Sequence, residues 1–304
     1  MHTLPSSSLK LDFILEQYGY RLEKVLNNEN RWGTKLVCLI SDKDSNRYVS
    51  TTCATKESYL ELAKTLILLK KKEQFSPRVI KLFPQNKTIV CNYIGESLSH
   101  YILENPDTIT DSFIAISHYL KELNSIKRSH KRLIIPSIIN DVLEISEVLD
   151  LLPKIKAILP VLINSKIYFV YGCGIEDPHI WNLRVVNCAD ELQAFTADFD
   201  YFSQNLNYSW ELGYLYATFR WFRQVSYFMN YNLENLFISL IENSDPKSNF
   251  MFWLGVLSSY CGYKESLLLR INHDFQISEH RKIIRNLDNK IFYLAKRLLE
   301  RNQD

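Results

Sequence analysis

The sequence predicts an α+β protein in two lobes, a small strand-rich one followed by a larger and mostly helical one. Three observations carry this. Between Thr34 and Ile94, short β-branched and apolar runs alternate with turn residues around a single long helical pattern. After Gly95 the helical period takes over, and three short strands interrupt it between Lys166 and Asp198. From Trp210 onward the pattern is almost entirely helical. Strands with one helix, then helices with a few strands, place the cut at 94/95, giving lobes 1–94 and 95–304.

The elements follow in order. "TKLVCLIS" (Thr34–Ser41) and "RYVSTTCA" (Arg47–Ala54) read as strands joined by "DKDSN", a run of hairpin punctuation. "KESYLELAKTLILLKKKEQF" (Lys56–Phe75) places Tyr59, Leu60, Ala63, Leu66 and Ile67 at helical spacing and ends in lysines, which suit a helix C-terminus. "RVIKLFPQNKTIVCNYI" reads as two strands around a Pro-Gln-Asn-Lys turn. Beyond the boundary, "TDSFIAISHYLKELNSI" is helical with Thr110 expected as its N-cap, and a further helical pattern runs up to Pro153 and resumes past it. The expected strands are then Lys166–Tyr171, Asn182–Asn187 and Gln193–Asp198.

Composition narrows the function classes. With 36 basic and 34 acidic residues the net charge is +2, so no global basic excess points to nucleic acid. The six cysteines show no C-x-x-C spacing, which argues against a zinc site and for reduced, buried thiols of a cytoplasmic protein. The N-terminal stretch lacks a basic region followed by an apolar run, so no signal peptide is expected. The longest apolar stretch is cut by proline and lysines, so no membrane partner is expected either. G-x-S-x-G, H-E-x-x-H and Walker-type glycine patterns are all missing.

The segment "YGCGIEDPHIWNLRVV" (Tyr171–Val186) carries the chemistry. A strand runs into a glycine-flanked loop with an acidic pair, a proline and a histidine, and a strand resumes at Asn182. The next strand ends in "DFD", Asp198-Phe199-Asp200. A carboxylate five residues ahead of an amide, across a tight loop, aims both groups to one side. With the amide, a second carboxylate from the neighbouring strand makes an oxygen ligand set for a hard divalent cation. The first carboxylate is left to orient or deprotonate a hydroxyl. That division of labour suits phosphoryl transfer, where positioning and charge compensation supply most of the catalysis. Each fragment alone is ordinary turn chemistry; their order along the chain makes a site.

"EDPHIWNLRVV" followed by "FTADFD" resembles the catalytic loop and metal-binding segment of the aminoglycoside and choline phosphotransferases, the small-molecule branch of the protein-kinase-like fold. "IVCNYIGESL" (Ile89–Leu98) is similar to their inter-lobe hinge, and "ISHYLKELNSI" to the helix after it. The resemblance implies a two-lobed protein-kinase-like fold that takes ATP and Mg²⁺ in the inter-lobe cleft and phosphorylates a hydroxyl of a small molecule. It implies Asp177 as catalytic base, Asn182 and Asp198 as Mg²⁺ ligands with Asp200 in support, and the backbone of Asn92, Tyr93 and Ile94 as the adenine site. Glu61 or Glu57 would orient a phosphate-binding lysine, and Glu211 would brace the catalytic loop. Trp210, Tyr214 and Trp221 are candidates for an acceptor pocket, against core packing as the plainer reading. The acceptor stays open among aminoglycosides, amino alcohols, sugars and homoserine-like molecules.

The chain departs from the pattern at three places. Ile175 stands where the loop histidine is expected, with His179 as a candidate stand-in or a solvated loop residue. The third strand offers Ser50, Thr51 and Thr52 where a lysine should bind phosphates; Lys35, Lys56 and Arg47 are possible substitutes. The phosphate-covering loop Asn27–Lys35 has Gly33 alone. These departures keep a second reading open, a kinase-like pseudoenzyme that binds a ligand or a protein.

Overall fold

The computed structural model describes residues 15–26, 35–70, 77–135, 152–188, 191–197, 202–221, 233–241, 245–268 and 274–301. Asp198, Asp200, residues 27–34 of the expected phosphate-covering loop and the helical pattern ahead of Leu152 lie outside these residues. The chain divides into two compact units, 1–95 with 195–200, and 96–194 with 201–304.

The first unit is built on a five-stranded antiparallel sheet in the order β1-β2-β3-β5-β4, formed by β1 (Tyr20–Val25), β2 (Lys35–Asp42), β3 (Arg47–Cys53), β4 (Val79–Phe83) and β5 (Thr88–Asn92). Alternation along β2 buries Leu36, Cys38 and Ile40, which join Leu15, Phe83 and Val90 in one core cluster. The "DKDSN" turn closes the β2–β3 hairpin as its sequence predicts. Asp42 accepts from the Asp44 and Asn46 amides at 2.9 Å and from the Tyr48 hydroxyl at 2.8 Å. Hydrogen bonding from Asn46, above all, lowers its pKa to about 2.

Helix α1 (Lys56–Lys70) connects β3 to β4 and buries Tyr59, Leu62, Ala63, Leu66 and Leu69. The sequence pattern assigns Leu60 and Ile67 to this face, but they are 41% and 52% exposed. Both sets keep a helical period. The face that packs on the sheet is the one centred on Leu62, Leu66 and Leu69.

The second unit opens with α2 (Leu98–Glu104), capped by the Ser97 side chain, which accepts from the His100 amide. In α3 (Ile109–Asn124) the helix begins before Thr110, so the expected N-cap lies inside the first turn; Thr108 flanks it, its hydroxyl donating to the Asn105 carbonyl at 2.8 Å. Pro153 begins α4 (Pro153–Asn164), where its missing N–H costs nothing. Asp288, from the last helix among the described residues, accepts from the Ile155 amide at 3.3 Å and so caps α4 from outside.

Among the described residues, five short strands lie in this unit or border it. β6 (Ser129–Lys131), β7 (Phe169–Ile175) and β10 (Phe202–Leu206) form a sheet in the order β10-β7-β6, and β8 (Leu183–Cys188) pairs with β9 (Glu191–Thr196). β6 and β10 are absent from the sequence expectation, which also ends β7 at Tyr171. The strand continues through "GCGI" because β10 pairs along it, with Phe202 opposite Ile175 and Leu206 opposite Gly172. Its neighbours leave no room for a side chain at either glycine. A Cβ on Gly172 would stand 1.7 Å from the Asn124 carbonyl oxygen, and one on Gly174 would stand 2.6 Å from Glu211 Oε2.

Helices α5 (Tyr208–Trp221), α6 (Leu233–Leu240), α7 (Pro246–Leu268) and α8 (Asp274–Glu300) complete the unit. α5 and α7 cross closely at Gly213 and Gly255, where a Cβ would meet the carbonyl oxygens of Phe252 at 1.9 Å and Trp210 at 2.1 Å. Phe113 packs edge to face on both Phe219 and Phe237 in the same unit.

Candidate active site

The segment after β7 folds as a tight, internally bonded loop. Pro178 pre-sets the backbone for a three-residue turn, closed by the His179 amide donating to the Asp177 carbonyl at 2.8 Å. The His179 carbonyl then accepts from the amides of Asn182 at 2.8 Å and Leu183 at 3.1 Å, which leads into β8. These two turns bring Asp177 and Asn182 together. Asn182 Nδ2 lies 3.2 Å from both Asp177 Oδ2 and the Asp177 carbonyl oxygen.

Two neighbours and one of its own side chains hold the loop. The first is Glu211, which is fully buried and whose Oε1 accepts from the Ile175 amide at 2.8 Å. Among the described residues its Oε2 has no hydrogen-bond partner. Burial raises the Glu211 pKa well above 4.5, with the Ile175 amide opposing. Asn207 sets this carboxylate in place: its Oδ1 accepts from the Ser209 and Trp210 amides at the start of α5, and its Nδ2 donates to the Val170 carbonyl at 2.8 Å.

The second neighbour is α2, whose Ser99 amide donates to the Ile180 carbonyl at 3.2 Å, while Ser97 bridges Arg184 on β8. The third is His179 itself. It is 8% exposed, so it is no solvated loop residue, and desolvation lowers its pKa to about 4. Its Nδ1 accepts from the Trp181 amide at 3.2 Å, which puts the ring proton of the neutral imidazole on Nε2. At the position where the family pattern has a histidine, Ile175 is buried and contributes its amide to Glu211 instead.

Other expected residues fall outside this cluster. Trp210 and Tyr214 are core: Trp210 is fully buried with its indole N–H on Ser258 Oγ at 3.2 Å, and Tyr214 packs against it with ring centroids 5.3 Å apart. The side chain of Trp221 lies outside the described residues. Sequence reasoning passes over Trp181, which is 51% exposed with its ring 4.8 Å from that of His179. An aromatic between two loop polar groups is its only sequence signal.

In the first unit, the Asn92 amide donates to the Arg78 carbonyl at 3.0 Å and the Tyr93 amide to the Arg47 carbonyl at 3.3 Å. Gly95 turns the chain after Ile94 with φ +91°. β3 contains no lysine. Arg47 at its start pairs with Glu23 at 3.3 Å. Ser50 is buried with no hydrogen-bond partner for its hydroxyl among the described residues, and Thr52 meets Thr88 at 2.8 Å. Lys35 begins β2 opposite Cys53 and is partly buried. Glu57 and Glu61 are exposed on α1, and among the described residues no ion pair joins Glu61 to a lysine.

The fold is shared with solved small-molecule kinases. The choline kinase LicA from Streptococcus pneumoniae aligns with a TM-score of 0.54 at 11% identity, over 95% of this chain and 99% of that one. This chain has the protein-kinase-like fold of the choline kinases and aminoglycoside phosphotransferases. An ethanolamine kinase from Plasmodium vivax gives 0.54 at 14% identity, over 92% of this chain and 84% of that one. The aminoglycoside phosphotransferase APH(4)-Ia gives 0.57 at 11% identity, over 95% and 99%. No protein-family profile and no curated protein matches the chain by sequence.

Proposed function

We propose that this protein is an ATP- and Mg²⁺-dependent phosphotransferase that moves a phosphoryl group to a hydroxyl of a small molecule. The observation that carries the proposal is the Asp177–Asn182 pair, 3.2 Å apart in a loop whose backbone is held by a buried carboxylate, a buried imidazole and α2. Asp177 orients the acceptor hydroxyl and takes its proton as the phosphoryl group leaves ATP. Asn182 gives its amide nitrogen to Asp177, and its carboxamide oxygen would be the atom to meet a cation. With the Asp198 carboxylate it would make the hard oxygen donor set that Mg²⁺ takes. When bound, Mg²⁺ neutralises charge on the phosphates. Asn92 and Tyr93 already use their amides on backbone carbonyls, so the Ile94 backbone is the hinge group to meet adenine. One solved neighbour, LicA, is described in complex with AMP, in keeping with a nucleotide site. Trp181 offers the acceptor an exposed aromatic face four positions from Asp177.

One observation favours a second reading, a kinase-like binding module. β3 has no lysine, its arginine is paired with Glu23, and the core takes Ser50. Thermal unfolding with ATP, with and without Mg²⁺, separates the two. The phosphotransferase reading expects a Mg²⁺-dependent stabilisation that Asp198→Ala removes and Asp177→Asn retains. A wild-type protein that ATP and Mg²⁺ do not stabilise would favour the binding module.

A further inference from the structure

The second unit carries a concentration of positive charge that the phosphotransferase reading does not use. Four of the six residues from Lys127 to Arg132 are lysine or arginine, with His130 among them, in a chain whose net charge is only +2. Lys127, Arg128, His130, Lys131 and Arg132 are all exposed. Lys127 and Lys131 donate to the side-chain oxygens of Gln204 and Asn205 at 2.9 and 2.6 Å, which are neutral partners. Among the described residues none of the five forms an ion pair with a carboxylate, so their charge is uncompensated there.

Its placement adds shape. Among the described residues β6 is the outer strand of its sheet, with Lys131 opposite Phe169 and Ser129 opposite Tyr171 on β7. β6 is only Ser129–Lys131, so the five exposed basic residues form a short ridge along this edge strand and the residues flanking it. Tyr168, 47% exposed, stands one position beyond the paired end of β7. The ridge pairs with the early part of β7, while Asp177 follows its far end, after about 16 Å of strand from Val170 to Ile175. Guarding an edge strand against mispairing takes a lysine or two; β6 itself supplies Lys131, and Lys127, Arg128 and Arg132 beside it exceed that need.

We propose that this ridge docks the protein onto an anionic lipid surface. A short row of exposed cations without carboxylate partners among the described residues can meet a negative surface, and an exposed tyrosine at its border suits the headgroup region. Binding of a nucleic acid strand draws on several stacking aromatics, and the row from Lys127 to Arg132 contains no phenylalanine, tyrosine or tryptophan. The near balance of total charge hides the patch from composition, because what matters here is local density.

The test uses the full chain and co-sedimentation with vesicles of phosphatidylcholine alone or mixed with phosphatidylglycerol. Binding is expected only to the mixed vesicles and to weaken as salt rises. Combining Lys127→Gln, Arg128→Gln, Lys131→Gln and Arg132→Gln should weaken it at least about tenfold. If that variant misfolds, Arg128→Gln with Arg132→Gln is expected to lower it about fivefold or more. The same charge removed from α8, at Lys282, Arg285, Lys296 and Arg297, should leave binding within about twofold. The proposal is overturned by equal binding to both vesicles, by equal losses from the two sets of substitutions, or by binding to single-stranded RNA without binding to the mixed vesicles.

Discussion

The Asp177 loop of the larger unit and strand β3 of the smaller one differ in how their polar groups are held. Around Asp177 the backbone is held from several sides: the Asp177 and His179 carbonyls accept within the loop, and Ile175 and Ile180 are held by Glu211 and α2. Along β3, Ser50 is buried without a partner among the described residues and no lysine appears. The difference teaches where the fold's chemistry is local. A carboxylate aimed at a reacting hydroxyl depends on the turn that carries it, so its residues stay together in sequence. A cation that binds phosphate can reach in from another element, so its place in the sequence is not tied to one strand.

Stability measurements sharpen this contrast. The largest change is expected for Gly172→Ala, where the new Cβ meets the Asn124 carbonyl oxygen at 1.7 Å; a loss beyond about 3 kcal/mol in chemical denaturation is expected. Gly19→Ala in the smaller unit has open space at φ +79° and should cost only about 1 kcal/mol. A smaller cost at Gly172 than at Gly19 would show that the close approach to α3 is not needed.

Two acid–base predictions come next. His179 has a folded pKa of about 4, below its ordinary 6.5. Its contribution is present above pH 6.5 and is lost as pH falls through 4, on the order of 3 kcal/mol in all. Urea unfolding of His179→Gln should show a shallower acid limb than the wild type. Glu211 behaves oppositely, since its folded pKa is raised above 4.5. Its contribution is complete below pH 4.5 and is lost as pH rises through the folded value. Glu211→Gln keeps an oxygen for the Ile175 amide without the charge, so its stability relative to wild type should climb with pH. A pH-independent difference would mean that Glu211 is not desolvated as described.

The smallest effect is expected at Ser50→Ala. Removing a buried hydroxyl that has no partner among the described residues should be neutral or stabilise by up to about 1 kcal/mol. A clear destabilisation would reveal a polar role for β3 after all.

Much of the fold is legible because strands and helices leave periodic patterns, and "DKDSN" and the Pro-Gln-Asn-Lys turn mark their hairpins directly. The inward face of α1 is misread because Leu60 and Ile67 are as apolar as Leu62 and Leu69; only the sheet beneath decides. β6 goes unseen because "SHK" carries no apolar residue. β7 is cut short because its glycines look like loop residues when the carbonyl of Asn124 and the carboxylate of Glu211 are not in view. In the site, Asp177 and Asn182 are legible from their spacing. His179 is ambiguous, since burial by tertiary neighbours leaves no local mark.

Transfer of labelled γ-phosphoryl from ATP to a panel of small hydroxyl compounds tests the central claim most directly, with Mg²⁺ present, in the wild type and in Asp177→Asn. The substitution keeps an oxygen for Asn182 and removes the base, so at least one compound should be labelled by the wild type and about a thousandfold more slowly by the variant. Labelling that persists undiminished in Asp177→Asn would contradict the account.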